Sequence, residues 1–254
     1  MRSSERQQII LNMVKAESHI TLSQIKEKFP DISDITIRRD LEYMDKERML
    51  VRIRGGAKSL ESIIGGAWED SYQNRLLEHA DEKKKIAEKA VTLLKPKSSV
   101  FLDSGSTAFC MAEIIPDIPM DIMTSGITCA LQLSGLKEAR VQMLGGSVNT
   151  NSYSVTGEVS VDGIRQRFFS IAFLGVTGYM IGRGFVTTVA DDWLLKKQIA
   201  HNCDKLVILM DSSKVGKEGS YIFAETGEAD IVISDDRLAR EAKYDLKGHG
   251  VSIL

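Results

Sequence analysis

From Glu82 onward, short apolar runs alternate with helical stretches, and this alternation limits the possible folds more than any other feature of the chain. The apolar runs fall at 100–102, 122–124, 141–144, 171–176, 206–210, 231–234 and 251–254. Ile86, Ala90, Leu93 and Leu94 mark a helix ended by Pro96, and further helical stretches fall at 107–115, 128–133, 190–202 and 237–243. Strands alternating with helices predict an α/β domain whose mainly parallel sheet is covered on both faces. Such sheets bind ligands beyond the carboxyl ends of their strands.

Those ends are rich in glycine and hydroxyl groups. After the first strand comes DSGST, with Asp103, Ser104, Gly105, Ser106 and Thr107 opening a helix. Free backbone N–H groups at a helix start, joined by hydroxyls, form a phosphate cradle. Thr124, Ser125 and Gly126 follow the second strand, Gly145 and Gly146 the third, Gly175 with Thr177–Gly178 the fourth, and Asp211–Ser212–Ser213–Lys214 the fifth. One such end is commonly just a tight turn. Five on one rim point to a phosphorylated small molecule. The GxxxxGK[ST] nucleotide loop is absent, and no GxGxxG follows a strand, so neither nucleotide fingerprint applies.

The first sixty residues have a different character. Ile9, Ile10, Met13 and Val14 mark one helix; Leu22, Ile25 and Phe29 mark a second, capped by Thr21 and stopped by Pro30. The third, DITIRRDL at 34–41, carries Ile37, Leu41 and Met44 on one stripe, with Ser33 as its cap. Thr36, Arg39 and Tyr43 then face away from that stripe, and Arg38 lies on its flank. A buried rear and an Arg/Thr/Tyr front suit a DNA major groove; the competing reading pairs Arg38 with Glu42 or Asp45 on a solvated helix. Leu50, Val51 and Ile53 read as a strand and Gly55–Gly56 as a turn, making a hairpin wing from which Arg52 and Arg54 reach phosphates or a minor groove. Arginines on both helix and wing favour DNA.

Composition narrows the class. The chain has 254 residues, 43% hydrophobic and 27% charged, as in ordinary globular proteins. Its net charge is −2, yet residues 1–57 carry 11 basic against 9 acidic side chains. Cys110, Cys129 and Cys203 form neither a CxxC nor an even set, and the four histidines have no ligand spacing, so no disulfide, metal or cofactor is expected. The polar N-terminus lacks a signal peptide's apolar core, and no run approaches a membrane span, which predicts a cytoplasmic protein without a membrane partner. The expected division is a reader domain at 1–57, a linker at 58–80 and a second domain at 81–254. In the linker, Trp68 and Tyr72 are spaced as a helical pair, and Arg75 reads as a bridge or a solvated side chain.

Glu5–Arg6, TIRRDL at 36–41 and RIRGGA at 52–57, in that spacing, resemble the N-terminal signature of DeoR-type bacterial transcriptional regulators. DSGST at 103–107, LGG at 144–146, FLGVTG at 173–178 and DSSKVG at 211–216 resemble that family's sensor domain, similar in fold to ribose-5-phosphate isomerase. The resemblance spans nearly the whole chain. It implies a winged helix-turn-helix joined to a sugar-phosphate sensor, acting as a repressor of carbohydrate genes and binding operator DNA as a dimer or tetramer. It further implies that Asp103 contacts sugar hydroxyls, the 104–107 loop the phosphate, and Lys214 the phosphate or an adjacent anion. The family's Glu-x-x-x-Lys helix falls on Asp192 and Lys196, with Lys197 as the alternative lysine. Arg48 stands where the family usually has Gly, Arg54 where it has His, and Asp192 where it has Glu. The alternative is a sugar-phosphate isomerase with an appended helical domain, for which Asp162–Gly163 is the nearest match to the enzyme's DG-x-D carboxylates.

Overall fold

The structure is a computed structural model describing residues 3–17, 19–47, 49–53, 55–58 and 72–254. The chain forms two compact units, Met1–Trp68 and Glu69–Leu254. Arg48, Arg54 and Trp68, which carried expectations above, lie outside the described residues.

The first unit runs α1 (Ser3–Glu17), β1 (His19–Thr21), α2 (Leu22–Lys28), α3 (Asp34–Lys46), β2 (Val51–Ile53) and β3 (Gly56–Lys58). Thr21 starts α2 with a capping box: its hydroxyl accepts from the Gln24 N–H, and the Gln24 side chain accepts from the Thr21 N–H at 2.8 Å. Ser33 starts α3 likewise, accepting from the Thr36 N–H at 3.3 Å. The stripe of Ile37, Leu41 and Met44 is buried against Ile10, Val14, Ile25 and Leu50. The hairpin β2–β3 forms, and β1 adds a third strand antiparallel to β3. Nothing in the sequence marks this strand at 19–21, since three residues are too few to display a period.

One buried ion pair ties α1 to α3. Asp40 is 4% exposed, and its carboxylate accepts from Arg6 Nε at 2.5 Å, Gln7 Nε2 at 2.9 Å and Ser3 Oγ at 3.0 Å. Burial by itself raises the pKa of this carboxyl, but the three donors and the Arg6 charge outweigh it and hold the group below its ordinary value.

The second unit continues through α4 (Tyr72–Leu77), α5 (Ala80–Val91), β4 (Ser99–Leu102), α6 (Ser106–Ala112), β5 (Asp121–Thr124), α7 (Ile127–Leu133), β6 (Arg140–Met143), β7 (Ser147–Asn149), β8 (Ser154–Thr156) and α8 (Glu158–Ile164). Then follow β9 (Ile171–Gly175), β10 (Gly178–Met180), β11 (Gly184–Thr187), α9 (Ala190–His201), β12 (Leu206–Leu209), β13 (Tyr221–Glu225), β14 (Ile231–Ile233), α10 (Arg240–Gly248) and β15 (Ser252–Ile253). All seven expected strands join one parallel sheet in the order β15-β14-β12-β9-β4-β5-β6. Successive residues of β4 serve opposite faces: Phe101 packs with Leu174, Tyr179 and Phe185, while Val100 and Leu102 pack with Ile86, Ile122 and Val207. An antiparallel sheet β10-β11-β13 and a β7-β8 pair complete the unit.

The order places a topological switch beside β4. From there the chain builds outward to β5 and β6, and after β9 it builds the other way to β12, β14 and β15. Crossovers on the two sides leave a crevice where β4 and β9 end. The segment 72–77, assigned to the linker above, packs on this unit as α4. Its Tyr72 hydroxyl is 2.7 Å from Thr128 Oγ1, and its ring meets Tyr153 edge-on at 5.2 Å.

Replacing Arg6 by Ala strands the Asp40 carboxylate in a nearly dry site and is expected to destabilise the first unit by about 3 kcal/mol at neutral pH. Because the folded pKa is depressed, the stabilisation is complete above the unfolded value and is lost as pH falls through the folded one. The difference between wild type and Arg6→Ala therefore shrinks below about pH 4, as urea titrations from pH 3 to 7 would register.

Candidate functional site

The outward face of α3 carries Ile35, Arg39 and Tyr43 at four-residue spacing, with Thr36 beside them. Ile35 is 65% and Tyr43 51% exposed, and both arginines of the helix are exposed. Ile35 was not singled out in the sequence, because it lies off the stripe of Ile37, Leu41 and Met44. Neither Glu42 nor Asp45 forms an ion pair with Arg38 among the described residues. Asp45 instead accepts from the Arg52 backbone N–H at 3.2 Å, which anchors the hairpin to α3. Arg38 and Arg52 consequently line one groove with Leu22, Ile53 and Gly55, an open space of about 430 Å³ including solvent. A helix front bearing Arg, Thr and Tyr beside a two-arginine groove can meet a duplex by base edges and phosphates together.

The second unit carries an open cleft of about 740 Å³, solvent included, at the crevice that the strand order predicts. Ser104, Gly105, Ser106 and Thr107 form one wall, and Gly175, Lys196 and Lys214 also line it. Gly105 has φ +98°, so a side chain there would be strained and the loop could not enter α6 in this way. Asp192 of α9 and Asp211 at the end of β12, both named in the sequence motifs, line it too, as does Arg75 of α4; not foreseen were Glu78 and His79 from the turn after α4, Lys83 from α5, and Asn149 and Ser152 from the β7–β8 region. Only spatial proximity unites them. Arg75, noted in the sequence, lies on α4, and its guanidinium also donates to the Asn151 carbonyl at 3.5 Å.

Asp103 does not line the cleft. It is 1% exposed beneath the loop, where its carboxylate accepts from the Gly175 N–H at 2.9 Å and pairs with Lys196 at 3.0 Å. Lys196 also pairs with Asp192 at 3.3 Å, donates to the Gly175 carbonyl at 2.8 Å and lies 5.5 Å from the centre of the Phe223 ring. Burial pushes the Asp103 carboxyl up; the Lys196 ammonium opposes this and the Asp192 charge adds to it. Between the two adjacent lysines the geometry is decisive. Lys196 faces the cleft, whereas Lys197 sits over the Trp193 ring at 5.5 Å.

Four further expected residues stay away from the cleft for reasons of packing. Thr124 is fully buried and its hydroxyl accepts from the Gly126 N–H at 3.0 Å, shaping the turn into α7. Ser125 is 1% exposed, and its carbonyl accepts from the Val155 N–H. Gly145 takes a bond from Ser160 Oγ at 2.7 Å through its carbonyl. At Gly146 a Cβ would meet Ser160 Oγ at 2.4 Å, so this glycine serves close backbone approach. Asp162, the nearest match to an isomerase carboxylate, lies on α8 and pairs with Arg165 at 3.1 Å.

Lys83 is the least expected member. It is 4% exposed, its ammonium donates to the carbonyls of Arg75 and Glu78, and burial draws its pKa down. It thereby caps the C-terminal carbonyls of α4 and holds that helix at the cleft.

Comparison with known families agrees with both halves. The DeoR-like helix-turn-helix domain matches residues 6–63, and the DeoR C terminal sensor domain matches residues 78–236. The chain belongs to the DeoR family. The HTH-type transcriptional regulator YulB of Bacillus subtilis is 31% identical over 94% of this chain and 91% of its own length. GolR of Listeria innocua is 28% identical over 98% and 97%, and a putative aga operon transcriptional repressor of Escherichia coli O157:H7 is 26% identical over 99% and 93%. Among solved structures, a ribose 5-phosphate isomerase of Methanocaldococcus jannaschii shares 17% identity over 56% of each chain with a TM-score of 0.42. This DeoR-family protein is a transcriptional regulator. Among its described residues no helix is long and apolar enough to cross a membrane, and no cluster could hold a metal ion.

Replacing Lys196 by Met leaves two carboxylates without their cation and is expected to destabilise the second unit by about 3 kcal/mol, roughly 6–12 °C in thermal midpoint. The same change at Lys197 costs less than about 1 kcal/mol. Paired calorimetric melts separate the two.

Proposed function

We propose that this regulator represses carbohydrate-metabolism genes and that a phosphorylated sugar in the second unit's cleft sets its occupancy of operator DNA. The observation that carries the reading is the joining of Ser104, Gly105, Ser106 and Thr107 to Arg75 and Lys214 around one crevice. Amide and hydroxyl donors at a helix start, flanked by cations, match a phosphate dianion. The carboxylates of Glu78, Asp192 and Asp211 and the Asn149 amide in the same lining match hydroxyl groups. The name of the aga operon repressor supports the repressor role.

On this reading Asp103 acts from beneath, holding Lys196 and the Gly175 loop in place rather than touching the sugar. Thr36, Arg39, Tyr43 and Ile35 read base edges, with Ile35 suited to a thymine methyl. Ser33 keeps the start of α3 in position, and Arg38 and Arg52 clamp phosphates. Arg54 is assigned to the same wing contact from its place in the sequence. The protein works in the cytoplasm as a homo-oligomer, a dimer or tetramer, so that two recognition helices meet successive turns of a palindrome-like site.

Arg39→Ala is expected to weaken binding to a DNA fragment selected from a random pool by about tenfold or more, while sugar phosphates still raise the melting midpoint of the second unit. Arg38→Ala and Arg52→Ala each reduce the salt dependence of that binding by about one unit of slope. Loss of both DNA and sugar-phosphate binding in Arg39→Ala would mean that the residue holds the fold rather than the duplex.

A further inference from the structure

A second recess lies at the amino ends of the central strands, across the sheet from the cleft at their carboxyl ends. Ser99 starts β4, Asp121 starts β5 and Arg140 starts β6. With Gln142, Arg167 and Phe168 they surround an open space of about 460 Å³, solvent included. None of these residues lines the cleft.

Phe168 is 60% exposed, and a single exposed phenylalanine is ordinary on a protein surface. This one is held from both sides. The Arg167 N–H donates to the Ile164 carbonyl at 3.0 Å, and the Ser99 hydroxyl donates to the Phe168 carbonyl at 3.3 Å. The Phe169 N–H donates to the Asn202 carbonyl at 2.9 Å, and the buried Phe169 ring meets Phe101 edge-on at 5.3 Å. The backbone thereby presents Phe168 outward as an apolar face beside charged groups.

Those charges do not close on one another. Asp121 and Arg140 are register partners on adjacent parallel strands, yet no ion pair joins them among the described residues. Arg140 and Gln142 are two residues apart on β6 and so share a face. Arg167 donates to Gln142 Oε1 at 2.5 Å, which gathers both guanidinium groups at β6. The strand order β9-β4-β5-β6 then sets three kinds of group in line: a ring just before β9, a carboxylate on β5 and two guanidiniums at β6. Steps between strands are about 4.8 Å each, so the line is as long as an extended small molecule rather than a single ion. A nucleotide has its parts in the same order, as flat base, hydroxylated ribose and phosphate. Aromatic rings stack on bases, carboxylates accept from ribose hydroxyls, and arginines bind phosphate in pairs of hydrogen bonds.

We propose that this recess binds a mononucleotide, with the base on Phe168, the ribose hydroxyls on Asp121 and the phosphate between Arg140 and Arg167. The regulator then has a second small-molecule input. It stands apart from the sugar-phosphate reading and does not depend on it.

Calorimetric titrations of the full chain test this with the 5′-monophosphates of adenosine, guanosine, cytidine and uridine, beside adenosine and inorganic phosphate. The expected result is that at least one mononucleotide binds about tenfold more tightly than either adenosine or phosphate. Phe168→Ala and Arg140→Gln each weaken that binding about tenfold or more. Both side chains are exposed, and thermal melts confirm that the variants fold. Should Phe168→Ala not fold, Arg140→Gln decides alone, and unchanged nucleotide affinity in it overturns the proposal. Mononucleotides that bind no better than inorganic phosphate also overturn it. So does a nucleotide whose affinity ignores both substitutions, since it must then sit elsewhere. A short 5′-phosphorylated single-stranded oligonucleotide serves as the last arm. If it binds where the mononucleotides do not, the recess takes nucleic acid and the free nucleotide is excluded.

Discussion

The second unit depends on a carboxylate that never meets solvent. Asp103 ends β4, and its side chain binds the Gly175 amide at the end of β9 and the Lys196 ammonium on α9. Three elements separated by up to 93 positions in the chain are thereby fixed around the point where the sheet changes its direction of growth. Ion pairs this deeply buried add little net stability relative to an apolar core, because desolvation offsets the attraction. What they supply is geometry. Lys196 cannot leave without stranding Asp103 and Asp192, so the floor of the cleft keeps its shape whether or not a ligand is present.

The same logic recurs at smaller scale in the first unit. Arg6 and Asp40 join α1 to α3 as Asp103 and Lys196 join β4 to α9, and each pair lies directly behind a surface proposed to bind a charged polymer or ligand. Behind α3 the buried pair and the stripe of Ile37, Leu41 and Met44 fix the rotation of the helix, which decides that Arg39 and Tyr43 face outward. In both units the residues that touch nothing outside the protein determine what the exposed ones can reach.

The sheet was legible in the sequence because its strands are continuously apolar and separated by helices, and all seven fall where the runs predicted. The antiparallel strands β10, β11 and β13 were not, since β10 and β11 are short and start on glycine and β13 carries no clear apolar period. Along the cleft, the 104–107 loop, Gly175 and Lys214 were found because motif and strand end coincide, and Lys196 through the resemblance to the Glu-x-x-x-Lys helix. Lys83, Asn149, Ser152 and the turn after α4 were missed as lining because their role comes from tertiary proximity, which no local pattern encodes. Asp103 shows the limit of reading by motif. Its position at a strand end drew attention correctly, but only burial reveals that its partners are a lysine and an amide of the protein.

If the cleft controls the reader, binding at the two must be coupled, and coupling free energy is the same measured from either side. The most direct measurement is the affinity of the preferred sugar phosphate with and without saturating operator DNA, set beside the affinity for that DNA with and without the sugar phosphate. The account predicts that both change by the same factor, about fivefold or more. Two affinities that ignore each other would contradict it.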